Sequence, residues 1–226
     1  ISFNLGTSPG SGNDITLGHG LDEVPSVMVS KGIDHTSDWY LSTPNSTNNE
    51  YLRWNISNGP SNAGSGNTYN RAGSALTSKF FTVNWGNIVT GTNRKFFAYV
   101  WVQRKGFSRF GKFTGNGNAD GPFVYTGFRP ALFFYHSRNA SKNWLLQDKV
   151  RSLPVQSGFN QNQTNFYLDS TNNNVTYGSQ GYDQHANGIK LRITDSHANE
   201  SGHVYDYFAF ADTPFTGVGG VPGVAR

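Results

Sequence analysis

The chain states one pattern twice, and that repetition constrains its fold more than any other feature. Gly20-Leu21, Pro25-Ser26-Val27-Met28-Val29 and Asp38-Trp39-Tyr40-Leu41 are answered by Gly127-Phe128, Pro130-Ala131-Leu132-Phe133-Phe134 and Asn143-Trp144-Leu145-Leu146. The step from Pro to Trp is fourteen residues in both, and the offset is about 105. A third block, Phe97-Ala98-Tyr99-Val100-Trp101-Val102 ahead of Gly106-Phe107, pairs with Asp206-Tyr207-Phe208-Ala209-Phe210-Ala211 ahead of Pro214-Phe215. A duplication of this length predicts two tandem pseudo-repeats, 1–105 and 106–226, packed as one domain or side by side. It also supplies a test for function, since a site unique to one half should stand out against the other.

The repeated unit reads as all-β. Short apolar runs bounded by Gly, Asn, Asp, Ser or Pro recur, and none keeps a 3.6-residue period over three turns. Gly, Asn, Ser, Thr and aromatic residues are abundant, while the usual material of helices is sparse. Strands are expected near 1–5, 15–17, 26–31, 39–42, 79–83 and 96–103, and again near 107–113, 124–125, 131–137, 144–148, 190–194 and 204–211. The fold class expected is an antiparallel β-sandwich. Phe97, Tyr99 and Trp101 alternate with Phe96, Ala98, Val100 and Val102, so that strand should be covered on both faces. Its counterpart carries Asp206 among apolar residues, expected to lie wet near a strand end. Trp39 and Trp144 are expected to be equivalent core residues. Two polar stretches, 45–70 and 156–184, fall between matching blocks and are expected to be long surface loops.

Several function classes find little material here. No run approaches the roughly 20 apolar residues of a membrane helix, so no membrane insertion is expected. The start, Ile1-Ser2-Phe3-Asn4-Leu5, lacks an initiator Met and a charged region, and reads as a processed or cropped end rather than a signal peptide. Cysteine is absent, which excludes disulfides and thiolate metal sites. The net charge of +4 reflects few acids, and the basic residues Arg94, Lys95, Arg104, Lys105, Arg109 and Lys112 read as a solvated rim, with no nucleic-acid partner.

Three Glu, namely Glu23, Glu50 and Glu200, sit outside strand centres, and most Asp lie at turns, which gives no carboxylate pair for glycoside hydrolysis. No Gly-x-Ser-x-Gly elbow appears in a strand-to-helix setting, and the histidines His19, His35, His136, His185, His197 and His203 lack metal-ligand spacing. Asn116, Asn118 and Asp120 imitate a calcium loop, but a closing glutamate is missing, so the run reads as a glycine-rich turn. The expectation is therefore a non-enzymatic protein with no catalytic residues, no metal and no cofactor. What remains is a set of aromatic residues among Asn, Gln and Ser: Tyr51, Trp54, Tyr69, Tyr167, Tyr177 and Tyr182. On exposed loops they would form a ligand-binding set for sugars or protein, since flat rings stack while amides hydrogen-bond. The alternative is that they cap the core beneath their own loops.

The stretch from Gly106-Phe107-Ser108-Arg109-Phe110-Gly111-Lys112-Phe113 through Gly121-Pro122-Phe123-Val124-Tyr125-Thr126-Gly127-Phe128-Arg129-Pro130-Ala131 resembles a duplicated domain of uncharacterised function. That domain is found at the C-terminal end of virion proteins from tailed, often marine, bacteriophages. Asn187 to Thr194, Asn199 to Gly202, Tyr207 to Phe215 and the final Val221-Pro222-Gly223-Val224-Ala225-Arg226 continue the likeness, and the last of these looks like a natural C-terminus. Trp101-Val102-Gln103 departs from it, standing where relatives usually carry a Phe-Ala-acid sequence.

The resemblance implies a virion location, partnership with other virion proteins, and a homo-oligomer of which a trimer is one form. It implies a tail fibre or appendage module that contacts a host-surface glycan or protein receptor. The alternative role is a capsid decoration or head-fibre protein stabilising the particle, and a polysaccharide depolymerase is the less favoured third.

Overall fold

The computed structural model describes residues 1–8, 14–47, 50–62, 76–84, 92–149, 161–162, 164–171, 175–176 and 181–213. Every regular element among them is a β-strand, and every pairing is antiparallel. The chain divides into two compact units, Ile1–Val102 and Gln103–Arg226.

In the first unit, β1 (Ser2–Thr7), β3 (Val27–Gly32), β4 (Tyr40–Ser42), β5 (Glu50–Arg53), β6 (Ser61–Asn62) and β8 (Lys95–Trp101) make a sheet in the order β1-β8-β3-β4-β5-β6. A two-stranded sheet joins β2 (Asp14–Gly18) to β7 (Phe80–Asn84). The second unit has β9 (Ser108–Thr114), β11 (Pro130–Ser137), β12 (Leu145–Asp148), β14 (Thr164–Tyr167), β15 (Val175–Thr176) and β18 (Val204–Ala211). Read from β9 inward, their order is β9-β18-β11-β12-β14-β15. Its smaller sheet runs β10-β17-β16-β13, from β10 (Phe123–Tyr125), β13 (Gln161–Asn162), β16 (Tyr182–His185) and β17 (Gly188–Leu191).

The two large sheets share strand order and register. Met28 faces Ser42 and Val29 faces Leu41; 105 residues on, Phe133 faces Gln147 and Phe134 faces Leu146. Met28 also faces Val100, as Phe133 faces Ala209. Corresponding turns take the same backbone form. Gly20 and Gly127 have φ of 64° and 83°, and Asn93 and Gly202 have 63° and 78°, the left-handed region that Gly and Asn tolerate best.

Because side chains alternate along a strand, each sheet sorts its residues into two faces. In the second unit Phe133, Tyr135, Leu145, Tyr205, Tyr207 and Ala209 of the large sheet pack with Val124, Tyr182, Ile189 and Leu191 of the small one, a sandwich-like core. In the first, Met28, Tyr40, Tyr51, Phe96, Ala98 and Val100 pack with Phe81. Burying each of these large side chains contributes roughly 1.5–3 kcal/mol. The tyrosine hydroxyls stay satisfied inside. Tyr135 and Tyr182 bond each other, while Tyr205 accepts the Glu200 N–H at 3.0 Å and donates to the Ser196 carbonyl at 3.2 Å. Burial pushes the Tyr205 phenol up to about 12.

Three expectations need correction. Asp206 is buried, and Arg138 donates to it from Nη1 at 2.6 Å; the guanidinium makes that site tenable for a carboxylate. Trp144 is fully buried, with His136 stacked on it at 4.5 Å, whereas Trp39 is only half-buried, with the Lys31 ammonium 5.9 Å from its ring centroid. The polar stretches are not loops throughout, for β5, β6, β13, β14, β15 and part of β16 lie within them. Such strands carry only one or two inward apolar residues, Tyr51 and Leu52 in β5 and Tyr182 in β16, among polar neighbours.

Candidate functional site

The small sheet of the second unit turns one face to its core and the other to solvent. Register decides which residues share the outer face. Phe123 faces Lys190 across β10 and β17, and Lys190 faces Asp183 across β17 and β16. Tyr125 faces Gly188, and Gly188 faces His185. Directly opposed residues project to the same side, so Phe123, Tyr125, Lys190, Asp183 and His185 form one surface, with Arg192 next along that face. Their intervening neighbours Val124, Ile189 and Tyr182 are core residues.

Two rings on this face are open to solvent, Phe123 at 42% exposure and Tyr125 at 58%. Phe123 leans across the sheet and meets the His185 ring edge-on, with centroids 5.5 Å apart. It can do so because Gly188 has no side chain: a Cβ there would come within 2.7 Å of Phe123 Cζ. The ring at 125 lies beside Gly127, whose absent Cβ would be 3.6 Å from the Tyr125 hydroxyl.

Beside the rings runs a chain of opposite charges. Asp120 Oδ1 is 2.8 Å from Lys190 Nζ and accepts from Arg192 Nη1 at 3.1 Å, while Arg192 Nε donates to Asp183 Oδ2 at 2.7 Å. Lys190 and then Arg192 hold the Asp120 carboxyl below its usual range, and Asp183 raises the Arg192 guanidinium. The loop that delivers Asp120 is braced by its own side chains. Asn116 Oδ1 accepts the Asn118 N–H at 3.0 Å, Asn118 Oδ1 accepts the Asp120 N–H at 2.8 Å, and Asn116 Nδ2 donates to the Asp120 carbonyl at 2.9 Å. Buried Asn199 closes the loop from below by donating to the Asn118 carbonyl at 2.8 Å and accepting the Asn116 N–H at 2.8 Å. The oxygens that imitate a calcium loop are thus turned to backbone and cationic partners. Among the described residues no group of three or more His, Asp and Glu could hold a metal ion.

At the corresponding strand positions of the first unit the described residues carry one exposed ring, Phe80, and no ring pair. Thr16 and Thr82 stand across from one another with hydroxyls 2.8 Å apart, and Gly18 faces Phe80.

The aromatic residues expected on exposed loops are placed otherwise. Tyr51 lies in β5, buried edge-on against Tyr40 at 5.2 Å, and Tyr182 lies in β16, fully buried, its phenol pushed up by that burial. Both expectations of exposure are corrected, since each residue falls at an inward position of its strand. Trp54 is half-buried in the turn after β5, where its N–H donates to the Trp39 carbonyl at 2.8 Å. Tyr167, also half-buried, ends β14 with its ring 6.0 Å from His197; burial first, then Asp195 and Asp169, raises its phenol. Tyr69 and Tyr177 lie outside the described residues. The six therefore do not form one surface among the described residues.

Sequence reasoning passed over Phe123, His185, Lys190 and Arg192 as site residues. The signal was available in the Phe123-Val124-Tyr125 alternation, whose counterpart Thr16-Leu17-Gly18 has no ring.

No curated protein and no solved structure matches the chain. A family model does match, over residues 1–214, and the chain accordingly belongs to the family described as Domain of unknown function (DUF7483).

Proposed function

We propose that this chain is a non-enzymatic bacteriophage virion protein, a tail fibre or appendage module that contacts the host surface through the outer face of β10, β17 and β16. The observation that carries this reading is the pair of exposed rings, Phe123 and Tyr125, on a strand that otherwise packs into the core. A solvent-facing aromatic pair flanked by ordered charges suits recognition more than stability. The two units are read as tandem pseudo-repeats, each a β-sandwich, which the common strand order and register support. In that reading the aromatic face is a specialisation of one copy. The virion setting rests on the resemblance of residues 106–131 to phage virion domains.

The test has two parts. An antibody fragment against this polypeptide, imaged on purified particles, should label the tail or fibre tips. Soluble labelled protein should bind host cells, with Phe123→Ala and Tyr125→Ala reducing that binding. Label absent from particles sinks the virion role, and unchanged cell binding by both variants sinks the contact face.

A second reading, capsid decoration that holds the particle together, is favoured by β1. Ile1 just before β1, and Phe3 and Leu5 within it, stand exposed at 69, 53 and 63% at the edge of the sheet. An apolar row on a sheet edge fits a subunit contact, and label spread over the head would select this reading.

A further inference from the structure

We propose that the outer face of β10, β17 and β16 binds an uncharged glycan chain. Its sugar rings lie on Phe123 and Tyr125, and its hydroxyls bond to the Asp120, Lys190, Arg192 and Asp183 network. This deepens the host-contact reading and rests on it.

The rings supply the apolar half of the site. Phe123 and Tyr125 are two residues apart on one strand and project to the same side, so their centres of attachment lie about 6–7 Å apart along β10. Each is a rigid surface that loses little side-chain freedom on binding, and Phe123 is further held against His185 at 5.5 Å. The C–H face of a pyranose is apolar and flat, while its hydroxyls lie at the rim. A ligand with that division matches a surface whose rings stand beside polar groups.

The charged residues settle which glycan. Two cations and two carboxylates interlock within 2.7 to 3.1 Å, so the network carries no net formal charge. A sugar hydroxyl both donates and accepts, and an ordered carboxylate beside an ordered guanidinium offers it both partners at once. An anionic polymer gains nothing comparable. To pair with Lys190 or Arg192 it must come close to Asp120 and Asp183, whose carboxylates already stand on those cations and repel a further negative charge. The corresponding face of the first unit has Thr16 and Gly18 where β10 has Phe123 and Tyr125, so among the described residues its exposed ring is Phe80, opposite Gly18, and the ring pair is particular to β10.

The test is an array of neutral and acidic oligosaccharides probed with the intact protein, with calorimetry on any glycan bound, at low salt and at about 0.5 M salt, where charge attraction is screened beyond a few ångströms. Neutral glycans should bind at both salt levels. Tyr125→Ala and Phe123→Ala should each weaken binding about tenfold, equivalent to 1.4 kcal/mol. Both residues are exposed, and melting temperatures close to that of the parent protein will establish that the variants fold. Phe80→Ala, which removes the exposed ring of the corresponding face of the first unit, should bind as the parent does. Binding of acidic glycans alone, removed by salt, overturns the proposal. So does an array on which nothing binds. If in that case the two ring variants still lose host-cell binding, the contact face stands with a protein receptor; if they retain it, both readings fall.

Discussion

Asn55 and Asp169 hold the same place in their units: each accepts the backbone N–H of a tryptophan, Asn55 from Trp39 at 3.0 Å and Asp169 from Trp144 at 3.2 Å. The side chain that completes each clamp is exchanged in kind. Asn55 donates to Asp38 at 2.9 Å, whereas Asp169 accepts from Asn143 at 3.0 Å. One carboxylate and one amide close both clamps, from opposite sides. The difference has an electrostatic consequence, since Asp38 meets Arg53 at 3.5 Å while burial raises the Asp169 carboxyl above its usual value.

Asp169→Asn, which puts the amide of Asn55 at this position and removes the raised carboxyl, should therefore stabilise the protein in a pH-dependent way. A carboxyl raised in the folded state binds its proton more tightly there than in the unfolded chain. Its favourable contribution is present below the ordinary value of 3.8 and is lost as pH rises through the folded value. The melting temperature of the variant, compared with that of the parent, should thus rise as pH climbs from about 3 to about 7. A flat or falling difference would show that Asp169 is not held above its usual range.

Arg138 and the buried Asp206 have their counterparts in Ile33 and Phe97, for Arg138 N–H bonds the Val204 carbonyl at 2.8 Å as Ile33 N–H bonds that of Lys95 at 2.9 Å. Arg138→Ile alone removes the ion-pair partner of a buried carboxylate and should cost about 3–5 kcal/mol. Adding Asp206→Phe removes the buried carboxylate, leaves the residue types of Ile33 and Phe97 at the two positions, and should recover most of that loss. Denaturant melts of the two singles and the double give the coupling, and a double that is no better than the Arg138 single argues that charge burial is not the source of the cost.

Trp144 and Trp39 should differ on truncation. Trp144→Ala opens a cavity in fully buried packing between His136, Phe134 and Phe208 and should cost about 3–5 kcal/mol. Trp39 is half-buried against Phe97 and should cost about 1–2 kcal/mol. Equal losses in urea unfolding would mean that Trp39 is as enclosed as its counterpart.

Strands with an apolar alternation were legible in the chain, because one buried face leaves a period of two. The Pro25 to Trp39 block and its echo at Pro130 to Trp144 located β3, β4, β11 and β12 for that reason. Strands β5, β14 and β16 were not legible, since Glu50, Asn165, Asp183 and His185 leave them reading as polar insert, although each pairs with a neighbouring strand. The same limit hid the site. Composition gathers aromatic residues into sets by their polar surroundings, whereas register decides exposure: Tyr182 points inward and Tyr125 outward, two strands apart on one sheet.

The apolar row on β1 yields a final expectation. Leu5 faces Phe97 across the pair of β1 and β8, and Lys112 faces Asp206 at the matching place in the second unit, where it is exposed. A lysine is thus accommodated at that position of the fold. Leu5→Lys should leave the melting temperature within the range of ordinary surface substitutions, about 0.5 kcal/mol either way. If Ile1, Phe3 and Leu5 form a subunit contact, the same change should move the protein from oligomer to monomer, because a charge must then be desolvated at an apolar edge. Sedimentation equilibrium of parent and variant measures this directly. A parent protein that is monomeric at high concentration removes β1 as a self-contact and leaves the decoration reading without its supporting observation.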